Sequence, residues 1–229
     1  MLEVIVQNKQ EAVEAEKLGA DRVELVSAIQ EGGLTPSFGT LKQVLGTVRI
    51  PVQVMIRPHS YGYCYSAEDM EIIKADVQAV LDLGGNGIVF GGLNDDHTID
   101  EEALKEIIQM APQMDITFHR AFDEVASQEA AYRVLSKFKK HVKRILTSGG
   151  ASNCEQGRVQ LRNLVNLSKE LDGPVIMPGS GLSPANIGDI HGVVGAKEYH
   201  FGKAVRVDSS FQKGFDAVDI NQVMREIGC

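Results

Sequence analysis

Eight short runs with strand character recur along this chain, separated by stretches of helical periodicity, and that alternation leaves few folds open. The runs begin near Leu2, Arg22, Pro51, Gly87, Asp115, Arg144, Pro174 and Glu198, so their starts lie 20, 29, 36, 28, 29, 30 and 24 residues apart. Helical patterns fall between them at residues 8–18, 66–83, 100–110, 128–138, 153–171 and 183–194. Ser66 and Asp100 each precede acidic residues, which suits the positive end of a helix. Strand–helix units at this spacing match a (β/α)8, or TIM, barrel, whose usual length is about 250 residues. A doubly wound open sheet would show fewer strands, two apolar strand faces and a Gly-rich first turn. The first turn here is Val6-Gln7-Asn8-Lys9. An α/β single-domain barrel over 1–229 is therefore expected, with the 208–229 tail adding a last helix (218–227) that packs on the barrel or on a partner subunit.

Successive strand residues point to opposite faces. One face of these runs is hydrocarbon: Val23 and Leu25, Val52, Val54 and Ile56, Ile116 and Phe118. The other collects nine polar side chains, Glu3, Glu24, Gln53, Arg57, Thr117, His119, Thr147, Glu198 and His200, together with Ile5, Val26 and Gly91. In a barrel that second face is the lumen. Burying a carboxylate, a guanidinium and an imidazole together costs several kcal/mol unless they pair or meet a ligand. Catalytic residues of such barrels sit at the carboxyl ends of the strands. This places Arg57, His119, Thr147 and His200 nearest the mouth, with Glu24 level with them or one layer below. Arg57 either pairs internally with Glu24 or Glu3 or clamps a carboxylate or phosphate. His119 and His200 carry protons that move near neutral pH. Arg120 points the other way and, with Asp123, is expected to fix the rim. Glu31, in a glycine-containing loop, is a solvated acid or a mouth residue.

The run Pro178-Gly179-Ser180-Gly181-Leu182-Ser183-Pro184 follows the seventh strand, and His200-Phe201-Gly202-Lys203 follows the eighth. Barrel phosphate sites are often built from these two loops, where Gly-rich backbone and a helix start offer N–H groups to an anion. Ser183 followed by Pro184 has the pattern of a helix start. Gly179, Ser180, Gly181, Gly202 and Lys203 are the anion-binding candidates, and Ser148 and Gly149 after strand six extend the same rim.

With 23 basic and 31 acidic residues the net charge is −8, which argues against nucleic acid or an anionic membrane as the main partner. No apolar run approaches a membrane span. The opening Met1-Leu2-Glu3-Val4-Ile5 carries no signal-peptide pattern and reads as a strand. Three scattered cysteines, Cys64, Cys154 and Cys229, make no disulfide framework and suit a reducing cytoplasm. Cys154, near a helix start, is a candidate for a lowered thiol pKa.

Several segments together resemble the CutC family, usually labelled copper-homeostasis proteins. They are Ala20-Asp21-Arg22-Val23-Glu24-Leu25, Glu31-Gly32-Gly33-Leu34-Thr35-Pro36-Ser37, Met55-Ile56-Arg57-Pro58, Cys64-Tyr65-Ser66, Thr117-Phe118-His119-Arg120-Ala121-Phe122-Asp123 and Arg144-Ile145-Leu146-Thr147-Ser148-Gly149. The resemblance implies a barrel, a cytoplasmic setting, self-association into a homo-oligomer and a link to copper. Relatives proposed to bind copper(I) carry cysteines at the positions of Ile5 and Val26. Here both are hydrocarbon, so a two-thiol site of that type cannot form, and no metal ligand is assigned.

Two readings of function stand. One is a cytosolic copper-handling protein, with copper(I) as its cofactor or cargo and Cys64, Cys154 or a methionine as remaining soft ligands beside His119 or His200. The other is an enzyme on a small phosphorylated or carboxylated metabolite, with Arg57 and the Gly179, Ser180 and Gly181 loop as anion site and Glu24 and His119 as acid and base.

Overall fold

A computed structural model describes residues 1–228. Its strands are β1 (Leu2–Val6), β2 (Arg22–Leu25), β3 (Val52–Met55), β4 (Gly87–Phe90), β5 (Asp115–Phe118), β6 (Val142–Thr147), β7 (Val175–Pro178) and β8 (Tyr199–Phe201). All pair in parallel, in the order β7-β6-β5-β4-β3-β2-β1-β8. A bridge between Gly179 and His200 closes the ring. The (β/α)8 barrel expected from the spacing is the observed architecture.

Alternation explains why this chain closes. Val4, Val23, Val54, Ile88, Ile116, Ile145, Ile176 and Phe201 belong to the large hydrophobic core, on the strand face toward the helices. The opposite face holds a separate small cluster, Ile5, Val26, Met55 and Val89, and the buried polar residues. Register then decides which polar groups meet: Glu3 lies beside Arg22 on one side and His200 on the other.

The helices are α1 (Lys9–Lys17), α2 (Phe38–Leu45), α3 (Ala67–Asp82), α4 (Glu101–Met110), α5 (Gln128–Ser136), α6 (Arg158–Leu171), α7 (Ile187–Val194) and α8 (Ala217–Ile227). Side-chain caps start most of them where the sequence suggests. Ser66 and Asp69 form a reciprocal capping box on α3, and Asp100 caps α4. Helix α2 escaped the sequence reading because it has eight residues, with Gly39 in its first turn and only Leu41 and Val44 buried. Helices α6 and α7 begin later than their patterns suggest. Residues 154–157 form turns before Arg158. The Ser183 N–H donates to Asn186 Oδ1 at 2.8 Å, so Ser183 and Pro184 make a turn ahead of α7 and are not its first residues. Among the described residues no helix is long and apolar enough to cross a membrane.

The segment after β8 is tied down by Arg206, which is 1 % exposed. Its guanidinium donates to the Ile5 carbonyl and the Lys213 carbonyl, both at 2.9 Å, and pairs with Glu11 at 2.5 Å. It also lies over Phe215, 4.3 Å from the ring centre. Helix α8 then packs through Ile220, Val223 and Ile227 against the barrel's own helices, α7 in particular. Arg206→Met removes one partner of a buried ion pair and strands two carbonyls, so we expect a loss of about 3 kcal/mol in urea unfolding. A loss under about 1 kcal/mol would show that the anchor is dispensable.

Candidate functional site

A cavity of about 720 Å³ opens at the carboxyl ends of the strands. Beneath it, deeper in the barrel, lies a network of charges that forms the floor of the lumen. Arg22 pairs with Glu3 and, at 2.6 Å, with Glu198. Arg144 pairs with Asp115 at 2.6 Å, faces Glu198 at 3.3 Å and donates to Thr117 Oγ1 at 3.0 Å. Arg22 and Arg144 were not among the inward candidates, although alternation contains them: each lies two residues from another inward position, Glu24 and Leu146. The same counting corrects Thr147. With Arg144 and Leu146 inward, Thr147 faces the helix side, where it hydrogen-bonds Asp123.

Above the floor sits a row of three ionisable groups. His200 Nδ1 is 2.7 Å from Glu3 Oε1, and its Nε2 is 3.7 Å from Glu24 Oε2. Burial disfavours the Glu3 carboxylate, yet Arg22 and His200 outweigh this and hold its pKa far below the usual range. Burial also works against the His200 imidazolium, but Glu24 and Glu3 overcome it and raise the His200 pKa. Glu24 lacks such support: burial dominates and pushes it up to about 7, with His200 only partly opposing. Desolvation and unequal partners thus separate two carboxylates in one lumen into a permanent anion and a group that titrates near neutrality. Ligand atoms of Glu3, Glu24 and His200 lie within 4.8 Å of one another, an O,O,N set that suits a hard or borderline cation. In this arrangement both imidazole nitrogens already face carboxylates, and Arg22 supplies Glu3 with the positive charge a cation would bring.

His119 and Arg57 stand higher. His119 is 3 % exposed; burial first, then the Arg57 charge, lower its pKa to about 3. The ring is therefore neutral, and its Nδ1 accepts from the Ala121 N–H at 3.2 Å. The proton must sit on Nε2. Gly91 makes room for this ring, since a Cβ there would lie 2.7 Å from Nδ1. Arg57 forms no pair with Glu24 or Glu3. It donates to the Glu31 carbonyl at 3.1 Å and lies over Tyr63, 4.8 Å from the ring centre. Glu31 thus serves Arg57 through its backbone, while its side chain accepts from Ser60 at 3.1 Å. Glu24 Oε1, Arg57 Nε and His119 Nε2 are all buried with no hydrogen-bond partner among the described residues. All three side chains line the same cavity.

The rim divides in two. At strand six the donors are already engaged: Asp123 accepts from the Ser148 N–H at 3.1 Å, the Ser148 hydroxyl at 3.0 Å and the Gly150 N–H at 3.0 Å, and it pairs with Arg120 at 2.8 Å. The Gly149 N–H goes to Thr147 Oγ1. Ser148 and Gly150 therefore hold an internal carboxylate and Gly149 serves Thr147, which corrects the assignment of Ser148 and Gly149 as anion donors. Arg120 and Asp123 do fix the rim, as expected. At strands seven and eight, Ser180, Gly181, Gly202 and Lys203 line the opening. Gly179 lies behind them, packed against Leu146 and His200 so closely that no Cβ would fit. Ser180 holds a left-handed φ of 89° without being glycine, a strain that persists where the surroundings enforce it.

Soft metal ligands are scarce here. Ile5 and Val26 sit together as hydrocarbon inside the barrel. Cys154 is buried, donates to the Gly179 carbonyl at 3.2 Å, and has its thiol pKa pushed up to about 12, by burial first and the Asp123 charge second. It precedes α6 by a turn and is not activated, contrary to the expectation. Cys64 is exposed and its pKa is also raised, by burial first and by Asp95. Cys229 lies outside the described residues. The donor set does not fit a copper(I)–thiolate centre in this cavity.

The fold and this charged lumen define a (β/α)8 barrel with a small-molecule-sized mouth. The chain belongs to the CutC family, whose model matches residues 1–205. A CutC family protein of Photorhabdus laumondii is 43% identical over 77% of this chain and 69% of its own length. The human protein called copper homeostasis protein cutC homolog is 38% identical over 93% of this chain and 76% of its own. The crystal structure of CutC from Streptococcus agalactiae superposes with a TM-score of 0.80 at 27% identity, covering 88% of this chain and 97% of that one. Phosphoribosylanthranilate isomerase from Thermotoga maritima, at 14% identity and a TM-score of 0.65 over 99% and 98% of the two chains, shares the fold.

The tautomer and charge of His119 can be read directly. Long-range ¹H–¹⁵N spectra across pH 5–8 should show one histidine fixed as the neutral Nε2–H form, and His119→Gln should remove that signal. In stability terms, a lowered pKa means the folded state binds fewer protons than the unfolded state between about pH 3 and 6.5. Wild type should therefore lose stability as pH falls through this window, with a steeper slope than His119→Gln. A His119 resonance titrating near 6.5 would contradict both expectations.

Proposed function

We propose that the mouth of the barrel is an acid–base site for a small organic anion bearing a phosphate or carboxylate. The observation that carries this reading is the convergence of three unsatisfied buried groups, Glu24 Oε1, Arg57 Nε and His119 Nε2, on one cavity. Orphaned buried polar atoms each cost about 1–3 kcal/mol, and a catalytic role or a bound species that answers them accounts for several facing one cavity. Arg57 would hold a negative group. The His119 Nε2–H would donate to a ligand oxygen, polarising a carbonyl without surrendering its proton. Glu24, with its pKa near 7, would take a proton from the adjacent atom and return it. The charges of His200 and Glu3 act on the protonation of Glu24 in opposite senses. The backbone of Ser180 and Gly181, with Gly202 and Lys203 opposite, would receive a terminal anion. The reading places the protein in the cytoplasm as a self-associating chain with neither membrane nor nucleic acid as partner; the acidic charge balance supports the last two points.

Native mass spectrometry of freshly purified protein should show a retained anionic small molecule that Arg57→Gln loses. Bare chain in every preparation, with a melting temperature unmoved by millimolar inorganic phosphate, would overturn the reading.

A direct role in copper handling is the second reading, favoured by the name of the human relative. It would have to use ligands other than a lumen thiol pair. Anaerobic copper(I) titration against a competing chelator should give the same affinity for wild type and for a chain with Cys64, Cys154 and Cys229 all changed to Ser. A tight site lost in the triple variant would restore a thiolate mechanism.

A further inference from the structure

We propose that the ligand carries a flat apolar body, as an aromatic or heteroaromatic phosphate or carboxylate does, and that the site prefers it to a polyol phosphate or a bare inorganic anion. The proposal rests on the anion-binding reading of the same cavity. The polar groups occupy only part of its wall. Ile5, Val26, Met55 and Val89 form an apolar cluster inside the barrel, separate from the core beneath the helices, and Ile29 and Phe211 pack on it from two different loops. Four of these, Ile5, Met55, Ile29 and Phe211, line the cavity itself.

Phe211 is built into this position. A Cβ on Gly202 would lie 3.2 Å from Phe211 Cζ and 3.4 Å from Ile5 Cδ1, so the ring packs closely over Gly202 and a side chain there would crowd it. From outside, the Arg206 guanidinium backs the same ring at 5.2 Å from its centre, and Arg206 is fixed by the Ile5 carbonyl and Glu11. The ring therefore stands against hydrocarbon on one side and a buried cation on the other. The hydroxyls of a polyol placed here would face a wall with no donor or acceptor and would lose their water without compensation. An aromatic body would bury its face on Ile5, Met55 and Phe211 while its anionic group reached Arg57 or the Gly181 and Gly202 loops. Pockets that combine an apolar lining with a few convergent polar groups hold ligands of this kind.

Isothermal titration of the full chain with phenyl phosphate, glycerol 3-phosphate and inorganic phosphate tests this. Phenyl phosphate should bind tighter than either of the others by about tenfold or more, equivalent to about 1.4 kcal/mol. Phe211→Ala should shrink that ratio toward one; Phe211→Leu, which keeps most of the packing, should give an intermediate value and guard against misfolding. Equal affinity for all three anions would overturn the proposal and leave the anion site standing. Binding of none of them would remove the anion-binding reading as well.

Discussion

The Glu3 carboxylate, buried in the middle of a closed sheet and held by Arg22 on one neighbouring strand and His200 on the other, is the constraint around which the lumen is organised. It is charged because two cations flank it, and those cations lie in place because parallel register sets Arg22 and His200 on either side. Once Glu3 has claimed Arg22 and the Nδ1 side of His200, Glu24 is left with a single distant partner and burial decides its pKa. Uneven sharing of positive charge is thus what separates a structural carboxylate from a titratable one. Breaking the Arg22 contact would strand a carboxylate with few other means of compensation.

The lumen is stratified as a consequence. Ion pairs fill the floor, where Arg22, Arg144, Glu198 and Asp115 meet each other and, among the described residues, Arg144 Nε is the one buried atom there without a hydrogen bond. Toward the mouth, pairing fails: Arg57 gives one donor to a loop carbonyl and its face to an aromatic ring while its Nε has no partner among the described residues, and His119 uses one nitrogen on a backbone N–H. Natural cores seldom leave three polar atoms unanswered in one place. The rim repeats the contrast, because Asp123 fills the donor set after strand six with the protein's own carboxylate while the loops after strands seven and eight open onto the cavity.

Much of this is legible in the sequence because it depends on a period of two and a spacing near 28. Glu24, Arg57, His119 and His200 share the lumen as alternation requires, and the barrel follows from eight repeats. Thr147 was misplaced because the inward phase of β6 is set by Arg144, whose partners Asp115 and Glu198 lie elsewhere in the chain. Ser148 and Gly149 misled because a Gly/Ser loop reads the same whether it cradles a ligand or the side chain of Asp123, which lies 25 residues earlier in the chain. Helix α2 was too short to carry a period. The Arg206 anchor has only part of its signature nearby, at Lys213 and Phe215, since its partners Ile5 and Glu11 stand near the other end of the sequence.

The name of the human relative points to copper, whereas Ile5 and Val26 give this lumen hydrocarbon and no thiol. The most direct measurement of the account is a crystal structure of protein purified without dialysis against strong anions, at a resolution that shows ordered water. The account requires electron density for a small organic anion, with oxygens within hydrogen-bond distance of Arg57 Nε and His119 Nε2 and a body against Phe211. Water alone in the cavity, or Arg57 swung onto Glu24 so that the two groups satisfy each other, would contradict it.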